Sequence, residues 1–307
     1  MTVKVRPIVQ HHRHPCIRFV RRVARAISLL VRHAIGVVRQ AYPRHCPIWG
    51  LHSATKEWLS VLCRYGPASS IIEYDVEDCF LNTPQDQAFP ALAFWLDHLQ
   101  GTTRRPLSFA ISKDSSHLDH VGLSYSVHFW SLPSAVVLAA VKWELARRLD
   151  FEVLAPTGET VVLRQCRGLP IGGSLSAGLV ELVALRCELR MSELPWVSTV
   201  PTARYRDNFF VAPPENWSFS QQDSFAVALT RLYGMPIKLE GFGSMRRCLE
   251  LWVECLPAGP CRAVLGFRTD SARQGESGDV VAWPPWCDPR APSCTVLLCG
   301  LAAKIVS

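Results

Sequence analysis

This sequence predicts an α+β fold with helices on one face of an antiparallel sheet, and three features predict it. Residues 70–76, SIIEYDV, alternate as a half-buried strand does. Several longer segments repeat their apolar residues at three and four, the period of a helix. The two kinds follow one another as strand, helices, hairpin, loop and helix, β-hairpin, helix and strands, an order that suits helices segregated to one side of a sheet.

The first element is a basic helix. In HPCIRFVRRVARAISLLVRHAIGVVRQ, Ile17, Val20, Ala24, Ile27, Val31 and Ile35 define an apolar face, while Arg18, Arg21, Arg22, Arg25, Arg32 and Arg39 fill the other positions. Three uses compete for such a helix: contact with nucleic-acid phosphates, association with a membrane surface, or a merely solvated face. Charge favours the first. Residues 1–56 hold eleven Lys or Arg, six His and no acid, whereas the other 251 residues carry a net −4 of the chain's overall +7.

After the strand at 70–76, which puts Ile72, Tyr74 and Val76 on one face and Asp75 on the other, helices are predicted around 86–99 and 134–149, separated by the polar loop SKDSSHLDHVG. FEVLAPTGETVVLRQC reads as a hairpin turning at Pro156-Thr157-Gly158. Next, GLPIGGSLSAGLVELVALRCEL is a loop that opens a helix, with Leu175, Leu179, Leu182 and Leu189 at helical spacing. ARYRDNFFVA gives two apolar arms around Asp207-Asn208, a pair that tolerates the positive φ of a tight hairpin. A helix with Phe225, Leu229 and Leu232 ends at Gly234, and strands follow at about 248–256 and 262–268. Beyond 270 the Pro, Gly and Ser content predicts irregular structure.

Composition narrows the class. With 307 residues, 49% hydrophobic and 19% charged, the chain is too apolar to be mostly disordered, and no run of apolar residues reaches the length of a membrane span, so no integral membrane segment is expected. Its twelve cysteines include no CxxC pair, and no secretory signal is recognisable, which predicts reduced thiols in an intracellular compartment, nuclear or cytoplasmic. A nucleophilic Ser/His/Asp arrangement, a P-loop and a dinucleotide fingerprint are all absent from the sequence.

Two acidic positions fall at comparable places, Asp75 at a strand end and Asp207 at a hairpin tip, each anchored by apolar neighbours. Carboxylates held side by side repel unless a cation neutralises them, so the pair suits divalent metal ions; the plainer reading is that each shapes a turn. His117, Asp119, His120 and the more distant His128 read as a polar surface loop before they read as a metal site, and Cys79 and Cys166 as small packing residues.

These residues resemble the palm of a reverse transcriptase, the right-hand polymerases of retroelements, group II introns and telomerase. DVEDCF is similar to the motif in which a metal-binding Asp precedes an aromatic residue by five positions, here Asp75 and Phe80. GLPIGGSLSAGL is similar to GxPQGxxxSPxL and YRDN to the YxDD hairpin. LYGMPIKLE sits where the family has a helix, a turn and a Lys, VLGF resembles the strand near the primer grip, and VKVRPI resembles the fingers strand that holds the triphosphate.

The resemblance implies a right-hand polymerase palm over residues 70–270 with an insertion around 100–150, a basic partial fingers region at 1–69 and an irregular tail or thumb remnant at 271–307. It implies an RNA-directed DNA polymerase that uses Mg²⁺ or Mn²⁺, an RNA template, a DNA primer and dNTPs. Asp75, Asp207, the carbonyl of Val76 and Asn208 become metal ligands, with Lys238 a general acid toward pyrophosphate. Lys4 and Arg6 clamp the triphosphate, Phe80 is the steric gate against a 2′-hydroxyl, and Gly168, Pro170, Gly172, Gly173 and Ser176 form the loop against the nucleotide. Arg18, Arg21, Arg22 and Arg25 lie along template phosphates. Glu77 and Asp78 receive no catalytic role.

The chain departs from the pattern at Asn208, which replaces a second Asp and supplies no charge, at Ile171 for Gln and at Ala177 for Pro. The fingers strand begins almost at Met1, which implies a truncated copy. Three alternatives accompany the reading: an RNA-dependent RNA polymerase, a catalytically inactive palm retained for nucleic-acid binding, and a membrane-associating structural protein acting through its basic helix. Nothing in the sequence bears on oligomeric state.

Overall fold

The computed structural model describes residues 16–264 except 51–56, 59, 63, 66–67, 104, 115–116, 148–149, 155–157, 249–250 and 256–261. Lys4, Arg6, the part of VLGF beyond Val264 and the tail expected after 270 lie outside the described residues.

A five-stranded sheet positions everything else. Its strands are β1 (His45–Ile48), β2 (Ile71–Val76), β8 (Thr202–Tyr205), β9 (Asn208–Val211) and β10 (Ile237–Gly243), in the spatial order β1-β8-β9-β2-β10. The expected antiparallel sheet is mixed: β1 runs parallel to β8, while the other pairs are antiparallel. Adjacent residues of the inner strands serve opposite faces, as the two-residue period requires. Ile72, Tyr74, Val76, Phe209 and Val211 belong to one core; Ile71, Ala203, Phe210 and Ala212 belong to a second.

Helices cover the first face. They are α1 (Ile17–Ala41), α3 (Gln85–Gly101), α4 (Ser134–Arg147), α5 (Ser176–Glu188) and α6 (Phe219–Tyr233), with the single turn α2 (Cys79–Asn82) leading into α3. The opposite face is covered as well, by Trp58 and Leu62 and by a small sheet of β11 (Met245–Cys248), β12 (Leu251–Glu254) and β13 (Arg262–Val264), whose Cys248 and Val253 are buried there. Helices therefore dominate one face, but the sheet is buried on both.

α1 is longer and more enclosed than a surface helix. It buries Val20, Val23, Ala26, Ile27, Leu30, Val31, Ala34, Ile35 and Val38, a wider stripe than the one read from the sequence, because it packs on α3, α4 and α5. Burying such side chains stabilises the fold by about 1.5–3 kcal/mol for each large aliphatic. An apolar face used this way is not available to a bilayer. No helix among the described residues is long and apolar enough to cross a membrane.

α6 shows how local sequence sets boundaries. Ser218 caps it by accepting a hydrogen bond from the Gln221 amide while the Gln221 side chain accepts from the Ser218 amide, and Gly234 ends it at φ 66°.

The stretch between the second and third helices holds more than the expected polar loop at 112–122: β3 (Ser108–Ser112) precedes it, β4 (His120–Val121) lies within it and β5 (Phe129–Pro133) follows it, joined in the order β4-β3-β5. β3 is buried along its whole length beneath α1. The hairpin of β6 (Asp150–Leu154) and β7 (Thr160–Arg164) forms as expected.

Candidate active site

Strand β2 ends at Val76, and the chain turns through Glu77 and Asp78 into α2. Asp78 takes φ 45°, a left-handed conformation that Asp tolerates better than most residues, and its carbonyl accepts from the amides of Leu81 at 2.7 Å and Asn82 at 2.9 Å. On the neighbouring strands, β8 and β9 form a two-residue hairpin. Its turn is Arg206-Asp207 rather than the expected Asp207-Asn208, with Arg206 at φ 56° and Asn208 already paired with Tyr205 as the first residue of β9. The Asp207 carbonyl accepts from the Val76 amide at 2.9 Å, tying the hairpin tip to the end of β2.

Asp75 and Asp207 thus come together. They line one cleft of about 120 Å³ with Val76, Asp78, Cys79, Phe80, Leu81 and Ile171. Among the described residues that wall holds three aspartates and no basic side chain. Asp78 was passed over in the sequence; the signal was its place at the turn after β2, where the left-handed backbone redirects the chain. Glu77 is exposed.

Asn208 sits directly across from Asp75 in the β2–β9 register, and Lys238 across from it in the β2–β10 register, so all three share one face at the sheet end. Lys238 is exposed, and its ammonium pairs with Glu240 at 2.9 Å. That contact, with Glu77 and Asp75 adding, raises its pKa and keeps it protonated. Cys79 supplies no thiolate: burial, reinforced by Asp207, pushes its pKa to about 12.

The glycine-bearing loop is stapled to the α2 turn. Leu169 donates its amide to the Phe80 carbonyl at 2.7 Å, and the Gln85 side-chain amide donates to the carbonyls of Gly168 at 2.8 Å and Gln165 at 3.1 Å. Gly168 has φ +71°, and a Cβ there would collide with the backbone of Phe80 and Leu81, so no other residue fits. Pro170 and Ser176 are buried, Gly173 is half-buried and Gly172 is exposed. Phe80 is half-buried with its side chain on the cleft.

Behind the hairpin lies a buried ion network missed in the sequence. Arg204 of β8 donates to Glu181 at 2.7 and 3.0 Å and to Glu188, both on α5, and at 3.2 Å to the carbonyl of Arg206 in the turn. Tyr233 donates to Glu188 at 2.7 Å, and His45 lies 3.3 Å from the other Glu188 oxygen. Burial alone would raise the Glu188 pKa, but Arg204 and His45 outweigh it and hold the carboxyl down to about 2.

The basic helix divides its arginines. Arg18 and Arg21 are exposed. Arg22 stacks over Trp130 at 4.0 Å, and Arg25 is committed internally, to Asp119 at 2.5 and 2.7 Å and to the Ser112 carbonyl at 2.9 Å.

This mixed sheet backed by helices, with Asp75 of a strand and Asp207 of a hairpin turn on one cleft, is similar in fold to solved polymerases of the reverse-transcriptase kind. Solved structures carry that likeness. Telomerase from Candida tropicalis, in complex with the TWJ fragment of telomeric RNA, matches 87% of this chain and 40% of its own at 13% identity, with a TM-score of 0.57. Apo telomerase from Candida tropicalis matches 75% of this chain and 38% of its own at 12% identity and 0.55, and telomerase from Candida albicans, in complex with the TWJ fragment, 78% and 39% at 15% and 0.54. The chain spans about two fifths of these telomerases, and the likeness is one of fold. No protein-family model and no curated protein matches the sequence.

Proposed function

We propose that the chain is an RNA-directed DNA polymerase, extending a primer 3′-hydroxyl with deoxynucleotides on an RNA template. The observation that carries this reading is the convergence of Asp75 and Asp207, 132 positions apart in the chain, on one cleft.

The donors there are hard oxygens: the carboxylates of Asp75, Asp207 and Asp78 and the Val76 carbonyl, with the Asn208 amide on the neighbouring strand across from Asp75. That set fits Mg²⁺ or Mn²⁺. Bound divalent cations supply Lewis-acid stabilisation to the attacking and leaving oxygens of phosphoryl transfer. In this reading Asp78 restores the negative charge that Asn208 does not bring.

The chain's own groups do the remaining work. Phe80 presents a ring against the sugar and leaves no room for a 2′-hydroxyl, which selects deoxynucleotides. Lys238, protonated and beside Asp75, donates a proton toward the departing pyrophosphate. Gly168 to Ser176 press a loop of fixed shape against the nucleotide, and Arg18 and Arg21 hold template phosphates from the exposed side of α1. In this reading residues 1–69 act as fingers, with Lys4 and Arg6 on the triphosphate and strand β1 joining the palm sheet, and 70–270 act as the palm with its insertion.

Primer extension on an RNA template tests the proposal, comparing dNTPs with rNTPs in Mg²⁺ and Mn²⁺ for wild type and Asp75→Ala. Incorporation of dNTPs that disappears in the variant is the expected result. Preference for rNTPs makes the chain an RNA-dependent RNA polymerase. Tight template binding without synthesis makes it an inactive binding module, the reading that Asn208 favours.

A further inference from the structure

The geometry points to a second, chemically different metal site: Asp114, His117 and His128 form a surface triad for a late first-row divalent ion such as Zn²⁺. One ligand atom from each of the three lies within 4.8 Å of the others.

The scaffold beneath the triad is built. Strands β3 and β5 pair up to Ser112 opposite Phe129, and the Lys113 amide carries the ladder one step further by donating to the His128 carbonyl at 2.9 Å. Asp114 and His128 therefore stand together at the mouth of a rigid ladder. The Ser112 hydroxyl fixes Asp114 by donating to its carbonyl at 2.6 Å. His117 arrives from the excursion between β3 and β4, its Nδ1 3.3 Å from the Asp114 carboxylate. Phe129 meets His117 edge-on at 5.5 Å.

A surface hydrogen bond joins Asp114 to His117, and ring stacking brings in the third member. The His128 ring lies against that of His117 with centroids 4.7 Å apart and planes 17° apart. Each imidazole lone pair lies in its own ring plane, so ligation of one ion by both rings turns them out of this stack while keeping them neighbours. Zn²⁺ takes nitrogen and oxygen at about 2.0–2.2 Å in a tetrahedron, which spaces its donors by about 3.4 Å. Closing the triad to that spacing requires the two exposed imidazoles to rotate about their side-chain bonds. Two imidazoles and one carboxylate select a borderline ion over Mg²⁺, which prefers all-oxygen shells.

Asp119 and His120, the other members of the sequence cluster, are otherwise placed: Asp119 clamps Arg25 and accepts from the Ser112 amide, and His120 lies on β4. An ion on the triad pins the segment 114–128 to the same ladder from its other side. That segment carries the exposed Leu118 and Tyr125, and Trp130, on which Arg22 and Lys113 stack, begins just beyond it. The site thus fixes the shape of an aromatic and basic surface remote in chemistry from the aspartate cleft.

Titration of the chelator-stripped full chain with Zn²⁺, in millimolar Mg²⁺, tests the site. The expected result is one zinc equivalent bound, at least tenfold weaker binding in His117→Ala and in His128→Ala, its loss in the double variant, and no change in Asp75→Asn. Bound Co²⁺ is expected to show a nitrogen and oxygen ligand spectrum and to slow proteolysis within 114–128. Equal zinc binding in the double variant, binding that instead disappears when His11, His12 and His14 are replaced, a thiolate-to-cobalt band, or no binding by wild type each overturns the proposal. All of these readouts are independent of polymerase activity.

Discussion

Around the β8–β9 hairpin lie two groups of carboxylates that the fold treats in opposite ways. Behind it, Glu181 and Glu188 are 1% and 0% exposed, and β8 itself supplies the arginine that neutralises them. In front of it, Asp75, Asp78 and Asp207 are half-buried on a cleft whose described lining includes no basic residue. A carboxylate sealed from water must be compensated within the fold, whereas one on an open cleft can be compensated by an ion from solution. The rear group is therefore structural charge and the front group functional charge. The two are joined through Arg204, whose guanidinium also holds the Arg206 carbonyl and with it the turn that presents Asp207.

Removing the arginine gives the largest effect. Arg204→Ala leaves two buried carboxylates facing each other and is expected to destabilise the protein by about 3–5 kcal/mol, read as a lowered denaturant midpoint. A cleft substitution such as Asp75→Asn is expected to leave the midpoint unchanged or raise it, because it relieves repulsion among the three aspartates. If both variants lose stability equally, the distinction between the two groups fails.

Activity reverses the order of importance. Asp75→Asn and Asp207→Asn are each expected to lower primer extension by at least about a hundredfold while circular dichroism is unchanged and the unfolding midpoint does not fall. Retained extension in either variant removes that carboxylate from the reaction.

How much of this was legible beforehand follows from the range of the forces involved. The alternation of Ile72, Tyr74 and Val76, the period of α1 and the Gly234 stop are local patterns, and the structure keeps them. Strand β1 is not local. HCPI is four residues with a proline, and it becomes a strand because His45 to Ile48 pair with Thr202 to Tyr205 across more than 150 positions. Strand β10 alternates, yet Gly241 and Gly243 weaken its pattern, and a register shift between Leu239 and Gly241 interrupts its pairing with β2. In the site, Asp75 and Asp207 stood out because each sits at the end of an apolar arm. Arg204 did not, since one arginine in a strand reads as a surface charge until Glu181 and Glu188, on a helix that precedes it in the chain, are seen to close on it. Asp78 looked like a solvated neighbour of Glu77 because the left-handed turn that separates their directions leaves no trace in composition.

A smaller effect probes the charge balance of the cleft. Asn208→Asp adds a carboxylate on the strand next to Asp75 and is expected to lower the Mg²⁺ concentration for half-maximal extension several-fold, with Asp78→Asn raising it by a similar factor. Metal titrations of extension rate for the two single variants and their combination check it. Opposite single effects that cancel in the double variant place the two residues in one charge balance, whereas a silent Asp78→Asn assigns that residue to the turn alone.

The last effect, smallest at any one pH, tests the rear group by acid. Glu188 is held at about 2 in the folded chain, against an ordinary value of 4.5. A folded-state value below the unfolded one means the unfolded chain binds the proton more readily, so the stabilisation is complete above pH 4.5 and drains away as pH falls from 4.5 toward 2. The slope cannot exceed one proton, about 1.4 kcal/mol for each pH unit. The Glu188 contribution is therefore lost across that window, offset in part by Glu181, whose carboxyl burial pushes up, and Glu188→Gln, which starts less stable at neutral pH, is expected to lose less than wild type across the same interval. Chemical denaturation at closely spaced pH values separates the two curves. Parallel curves would mean that Arg204 is balanced by Glu181 alone, and the arginine would then be a positioning device for the Arg206 turn more than the centre of a charge network.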